Sequence, residues 1–157
     1  MTYGDDMIMG VNKQCNFLTH TIMQKTLADI DIEFTMAEKT AESVPFIHID
    51  QATFLRRSWR FEPELGYRVC PIEHDSIDKM LTMCVRSRTI GPELQALAVL
   101  DTATREYFWY GKEIFTDKRN LFLKWISELD LRPYAKRDLP TWDRLVSEFK
   151  LNSLLRK

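Results

Sequence analysis

A chain of 157 residues, 45% apolar and 29% charged, is long enough to bury a core and has the composition of an ordinary globular protein. No apolar run approaches the ~20 residues of a membrane span, no signal-peptide pattern opens the chain, and three widely spaced cysteines (Cys15, Cys70, Cys84) fit neither a disulfide framework nor a zinc site. The net charge of −1 hides an asymmetry: residues 1–50 carry eight acidic against three basic side chains, and residues 51–157 carry nineteen basic against fifteen acidic. An acidic half that can hold cations beside a basic half that can hold phosphates suits a nucleic-acid enzyme, although chance produces such splits too. The cysteine usage points to a reducing compartment.

The chain opens on Tyr3-Gly4-Asp5-Asp6 followed by Met7-Ile8-Met9, which reads as the tip of a β-hairpin. Gly4 supplies the permissive backbone of a tight turn, and Asp is tolerated beside it. At a turn the alternation of side chains breaks, so Asp5 and Asp6 can converge on one cation. Hard carboxylate oxygens suit Mg²⁺ or Mn²⁺, which keep several waters and share their shell with phosphate oxygens. A polar turn without a ligand is the competing reading. Only two residues precede the turn, so its first strand is missing, and Met1 reads as an internal residue of a longer chain.

Asn16 is a good cap for a helix over about 17–29, where Leu18, Ile22, Met23, Leu27 and Ile30 form an apolar arc that predicts packing against a sheet. His20 reads as a solvent-facing or hydrogen-bonded histidine. Ile32-Glu33-Phe34-Thr35 alternates as a short strand that delivers Lys39 from the loop beyond it. Phe46-Ile47-His48-Ile49 and Thr53-Phe54-Leu55 read as strands, with a hairpin around Arg56-Arg57 and a continuation through Ser58-Trp59-Arg60-Phe61. A further strand is expected between Gly66 and Cys70.

From residue 71 the periodicity becomes helical. Ser76 caps a helix carrying Ile77, Met80, Leu81, Cys84 and Val85; Pro92 opens a longer one through about Tyr110, and Gly111 breaks it. A third runs from about Lys118 to Leu129. Thr141, after Pro140, caps the last, with Trp142, Leu145, Val146 and Phe149 on one face. The fold class is therefore α+β.

Three of these stretches, in this order and spacing, resemble RNA-dependent RNA polymerases of positive-strand picorna-like viruses, of dicistrovirus, iflavirus or marnavirus type. Tyr3-Gly4-Asp5-Asp6 resembles motif C, Lys39 in Thr35-Met36-Ala37-Glu38-Lys39 the lysine of motif D, and Phe54-Leu55-Arg56-Arg57 the Phe-Leu-Lys-Arg of motif E. Asp31 stands where many relatives have Gly to close the preceding helix. The resemblance covers nearly the whole chain. It implies a partial palm over 1–70, made of antiparallel strands and a packed helix with motifs C, D and E, followed by a helical thumb of about four helices over 71–157.

It also implies template-directed nucleotidyl transfer by a two-metal mechanism with Mg²⁺ or Mn²⁺. Asp5 would be the main metal ligand and Asp6 an auxiliary one, with Lys39 protonating the leaving pyrophosphate. Arg56 and Arg57, with Arg60 near them in sequence, would hold the primer end. Arg at the first of these positions keeps the charge of the usual Lys and offers a phosphate fork. Motif A, motif B and the fingers lie upstream of this chain in the family, so the fragment alone is expected to be inactive. The implied partners are RNA template and primer, nucleoside triphosphates, the upstream palm and fingers of the same polyprotein, and other viral replication proteins. The implied place is the host cytoplasm at replication complexes. Two alternatives stay open: a non-catalytic relic or interaction module, and a reverse-transcriptase-like polymerase, which Gly4 and Phe-Leu-Arg-Arg disfavour.

Overall fold

The structure, a computed structural model, describes residues 2–155. They fall into two compact units divided between Trp59 and Arg60. Five α-helices and two small antiparallel sheets are found among the described residues, so the chain is mixed α+β.

In the first unit, β1 (Thr2–Tyr3) and β2 (Asp6–Met7) pair antiparallel, with Thr2 opposite Met7 and Tyr3 opposite Asp6. Gly4 and Asp5 form the two-residue loop. Gly4 takes φ +60° and Asp5 does not take a positive φ, the pattern of a type II′ turn, whose first central position favours Gly. The upstream strand is a two-residue stub; Met1, read as internal to a longer chain, lies outside the described residues.

Helix α1 (His20–Ala28) starts later than the expected residue 17 because Thr19, not Asn16, caps it: Thr19 Oγ1 accepts from Ile22 N at 3.1 Å. Asn16 instead ends a 3₁₀ turn at Lys13–Cys15. The helix closes through Ile32 N donating to Leu27 O and Asp31 N to Ala28 O, with Asp31 at φ +58°. Asp31 thus takes the left-handed position of a Schellman motif, where glycine is the usual occupant. The expected sheet under α1 is not found among the described residues: the helix has no buried side chain, and Ile22 is 46% exposed.

Three expected strands are also corrected. Residues 32–35 form no ladder; Phe34 instead stacks on the His20 ring at 4.7 Å and its carbonyl accepts from Gln24 Nε2. His20 Nδ1 bonds Ser43 Oγ at 2.7 Å. Residues 46–49 lead into a 3₁₀ turn at Ile49–Gln51, which His48 caps by accepting from Asp50 N. Residues 53–55 contribute a single bridge, Phe54 to Arg57. In all three cases an apolar alternation lacks a neighbouring strand to pair with, and unpaired alternation makes no sheet.

The second unit contains the core. Strands β3 (Arg60–Glu62) and β4 (Tyr67–Val69) form an antiparallel hairpin with Phe61 opposite Arg68. Helices α2 (His74–Thr82), α3 (Pro92–Tyr107), α4 (Lys112–Glu128) and α5 (Trp142–Leu154) follow. Ile77, Leu100, Ala103, Tyr107, Phe122 and Ile126 bury one cluster among α2, α3 and α4. Leu65, Val69, Phe108, Phe115, Trp142 and Leu145 bury a second, joining the hairpin to α4 and α5. Trp142 Nε1 donates to Glu64 Oε2 at 2.8 Å, so its one polar atom is satisfied as its ring is buried.

Helix boundaries in the second unit also differ from the sequence reading. α2 begins at His74, and it stops at Thr82, leaving Cys84 and Val85 outside. α4 begins at Lys112, directly after Gly111, where the apolar signal is carried by Ile114 and Phe115 alone.

Gly111 takes φ +99° and ψ 167°, a region open essentially to glycine. A Cβ there would stand 3.2 Å from Glu62 Oε2 and 3.5 Å from Arg60 Nη1. Those two groups form an ion pair at 3.0 Å with Glu62 almost fully buried, and Arg60 Nη1 also donates to Trp109 O at 3.0 Å. Gly111→Ala therefore combines backbone strain with displacement of a largely buried ion pair. Its expected cost is about 2 kcal/mol or more. Urea denaturation would measure it; a change below about 0.5 kcal/mol, the range of neutral surface substitutions, would contradict this account of the turn.

Candidate active site

The two adjacent carboxylates stand at the end of the first hairpin. Asp5 is the second residue of the loop and Asp6 the first of β2, opposite Tyr3. Both are exposed, and among the described residues neither makes an ion pair or a side-chain hydrogen bond. The type II′ geometry follows from Gly4, and it sets two negative charges on consecutive residues at the apex rather than alternating along a long strand.

Such a pair presents hard oxygen donors, the chemistry that Mg²⁺ and Mn²⁺ select. Among the described residues, no group of three or more His, Cys, Asp or Glu side chains comes together as a metal site. Asp5 and Asp6 thus fit part of a coordination shell. Were a cation held there, water, phosphate oxygens or another protein segment would supply the remaining ligands, as Mg²⁺ commonly has.

Lys39 lies in the same unit, exposed, in a turn that Ala41 N closes by donating to Glu38 O at 2.9 Å. Among the described residues its ammonium makes no ion pair. The cation is therefore held on a defined turn and available to an anion.

The third element is tighter than the sequence suggested. Phe54 N donates to Arg57 O and Arg57 N donates to Phe54 O, both at 3.0 Å, so the turn is centred on Leu55-Arg56 rather than on Arg56-Arg57. Leu55 takes φ +52° and Arg56 φ +59°. Two positive φ values in succession define a type I′ turn, which Asn-Gly or Gly-Gly ordinarily occupies. Each non-glycine residue held there costs about 1–2 kcal/mol, and conformations of this kind persist where the surroundings over-determine them. Arg56 is exposed at the tip and Arg57 is half-buried at its closing pair. Sequence reasoning found the basic pair but missed the strain at Leu55, because a leucine carries no turn signal.

Arg60 belongs to the second unit. Its guanidinium is committed in part to Glu62 and Trp109 O, and its side chain is 37% exposed. Its established partners are thus internal ones.

The chain is similar to the replicase polyprotein of Drosophila C virus, with 31% identity over 136 residues, which is 85% of this chain and 8% of that polyprotein. It is similar to the replicase polyprotein of Cricket paralysis virus at 26% identity over 121 residues, 76% of the chain and 7% of the polyprotein. The genome polyprotein of Ljunganvirus 1 matches at 24% over 122 residues, 78% of the chain and 5% of that protein. The chain thus spans less than a tenth of the length of these relatives. No family model matches it. These similarities relate the chain to a segment of viral replicase and genome polyproteins.

Proposed function

We propose that the chain is the C-terminal palm and thumb of a viral RNA-dependent RNA polymerase, which joins a 3′-hydroxyl to the α-phosphate of a nucleoside triphosphate on an RNA template. The observation that carries this reading is the exposed Asp5-Asp6 pair at a Gly4-led two-residue hairpin, in a chain similar over most of its length to viral replicase polyproteins. Residues up to about 70 are assigned to the palm and the four helices beyond to the thumb. Partners follow from the same reading: template and primer RNA, nucleoside triphosphates, the upstream palm and fingers of the polyprotein, and other replication proteins in the host cytoplasm.

In this mechanism Asp5 is the principal carboxylate that binds the divalent cation, and Asp6 adds charge and a second ligand. When bound, Mg²⁺ or Mn²⁺ supplies Lewis-acid chemistry that favours the attacking alkoxide and stabilises negative charge on the leaving oxygens. Lys39 holds a proton on its Nζ near the leaving pyrophosphate and gives it up as the bond to the α-phosphate breaks. The strained Leu55-Arg56 turn holds Arg56 and Arg57 so that their guanidinium forks meet backbone phosphates of the primer.

The remaining metal ligands lie in the upstream segment, so activity belongs to the longer polypeptide. Template-dependent incorporation should be undetectable with residues 1–157 alone and should appear when the chain is produced joined to the preceding region of its polyprotein. Incorporation by the isolated chain, or its absence from a folded longer polypeptide supplied with primer, template and Mg²⁺, would count against the assignment.

A further inference from the structure

Beyond that polymerase reading, and independent of it, the loop between α2 and α3 carries a surface of a different kind. Val85 is the most exposed large apolar side chain among the described residues at 86%, and Met83 is 72% exposed. Met83 ends α2 in extended backbone, at φ −106° and ψ 115°, two residues before Val85. Arg86 and Arg88 follow, both exposed, and among the described residues neither makes an ion pair. From residue 79 to residue 92 the sequence has three basic side chains and no acidic one.

The loop is also held in shape. Gln95, on the second turn of α3, donates through Nε2 to Val85 O at 2.7 Å and accepts through Oε1 from Ser87 N at 3.2 Å. Ser87 Oγ in turn accepts from Thr89 N and Ile90 N. Two aliphatic side chains are thus kept in water by a fixed backbone, at a cost the second unit's own core does not recover.

We propose that this loop is a membrane-surface contact, in which Met83 and Val85 enter the headgroup–acyl boundary of an anionic bilayer while Arg86 and Arg88 meet lipid phosphates. Charge complementarity selects the anionic surface, and the aliphatic pair selects lipid over nucleic acid. A single-stranded RNA site would call for aromatic side chains on which bases stack, and residues 79–92 contain none. Shallow burial of apolar side chains beside basic ones is how interfacial segments bind without spanning. No described helix is long and apolar enough to cross a membrane.

The test uses the chain joined to the preceding region of its polyprotein, and sedimentation with phosphatidylcholine vesicles, with and without phosphatidylserine. The parent chain should partition onto the anionic vesicles and much less onto neutral ones. Met83→Ser with Val85→Ser should lower that partitioning at least about tenfold, as removal of two partly buried apolar groups implies. Arg86→Gln with Arg88→Gln should lower it about twenty-fivefold, about fivefold for each basic residue near an anionic surface. Val85→Trp should tighten binding, because indole favours the interface. Circular dichroism and thermal melting should be unchanged in all three. No partitioning of the parent chain, or full partitioning of the Met83→Ser/Val85→Ser chain, overturns the proposal. So does an arginine pair whose loss weakens single-stranded RNA binding but not vesicle binding.

Discussion

In the proposed full-length polymerase, Asp5→Asn is expected to abolish RNA synthesis, while Asp6→Asn reduces it and shifts the preference between Mg²⁺ and Mn²⁺. The amide keeps the size of the side chain and removes its charge, so the change reads the electrostatics of the site directly. Loss of a group that stabilises developing charge typically costs 10²–10³-fold, and loss of a metal ligand should cost at least that. Folding should be untouched, because both side chains are exposed on a turn whose geometry rests on Gly4. Primer extension and thermal melting of the same preparations check both halves. Wild-type turnover by the Asp5→Asn enzyme would remove Asp5 from the metal site.

The second large effect separates Lys39 from Arg56 and Arg57. All three are cationic, and a model of charge alone would have each substitution weaken RNA binding alike. A proton donor behaves differently: Lys39→Met should slow single-turnover incorporation by about tenfold or more and leave RNA affinity nearly intact, since general acid catalysis contributes about 10²–10⁴-fold. Arg56→Ala with Arg57→Ala should instead speed dissociation of primer–template. It should also flatten the salt dependence of binding, because fewer counterions are released from the phosphates. If Lys39→Met weakened binding as much as the arginine pair, with an unchanged single-turnover rate, its role would be electrostatic.

The Leu55-Arg56 turn makes the arginine variant more informative still. Leu55→Gly should relieve the positive-φ strain and stabilise the turn by about 1 kcal/mol, while loosening the register that holds Arg56 at its tip. Stability and primer affinity should therefore move in opposite directions, and a joint rise in both would argue against a positioning role for the strain.

What was legible in the chain depended on whether a segment carries its own partners. The last helix was readable because Thr141 follows Pro140 and precedes Trp142, and the structure shows Thr141 Oγ1 accepting from Arg144 N. Pro92 likewise marked the start of α3. The Gly4 turn was readable from backbone chemistry, and the left-handed Asp31 from the resemblance, in which a helix-closing Gly stands at that position. The strands expected at 32–35, 46–49 and 53–55 were not realised as ladders, since alternation specifies a face but not a neighbour to bond with. In the first unit, Ala52 is the one buried side chain among the described residues, so its apolar residues outnumber the interior available to them. The α4 start was missed because Lys112, Glu113, Thr116 and Asp117 dilute the signal of Phe115, which is 1% exposed. At the candidate site the backbone constraint was not legible: nothing in Phe-Leu-Arg-Arg announces two successive left-handed residues.

The most direct measurement of the central claim maps the cation itself. Fe²⁺ exchanged for Mg²⁺ in the active, RNA-bound polymerase generates hydroxyl radicals on addition of peroxide and ascorbate, and these cut the backbone beside the metal. The account predicts cleavage within the Tyr3–Asp6 turn, dependent on nucleotide and lost in the Asp5→Asn enzyme. Cleavage confined to other segments of an enzyme that is synthesising RNA would contradict it.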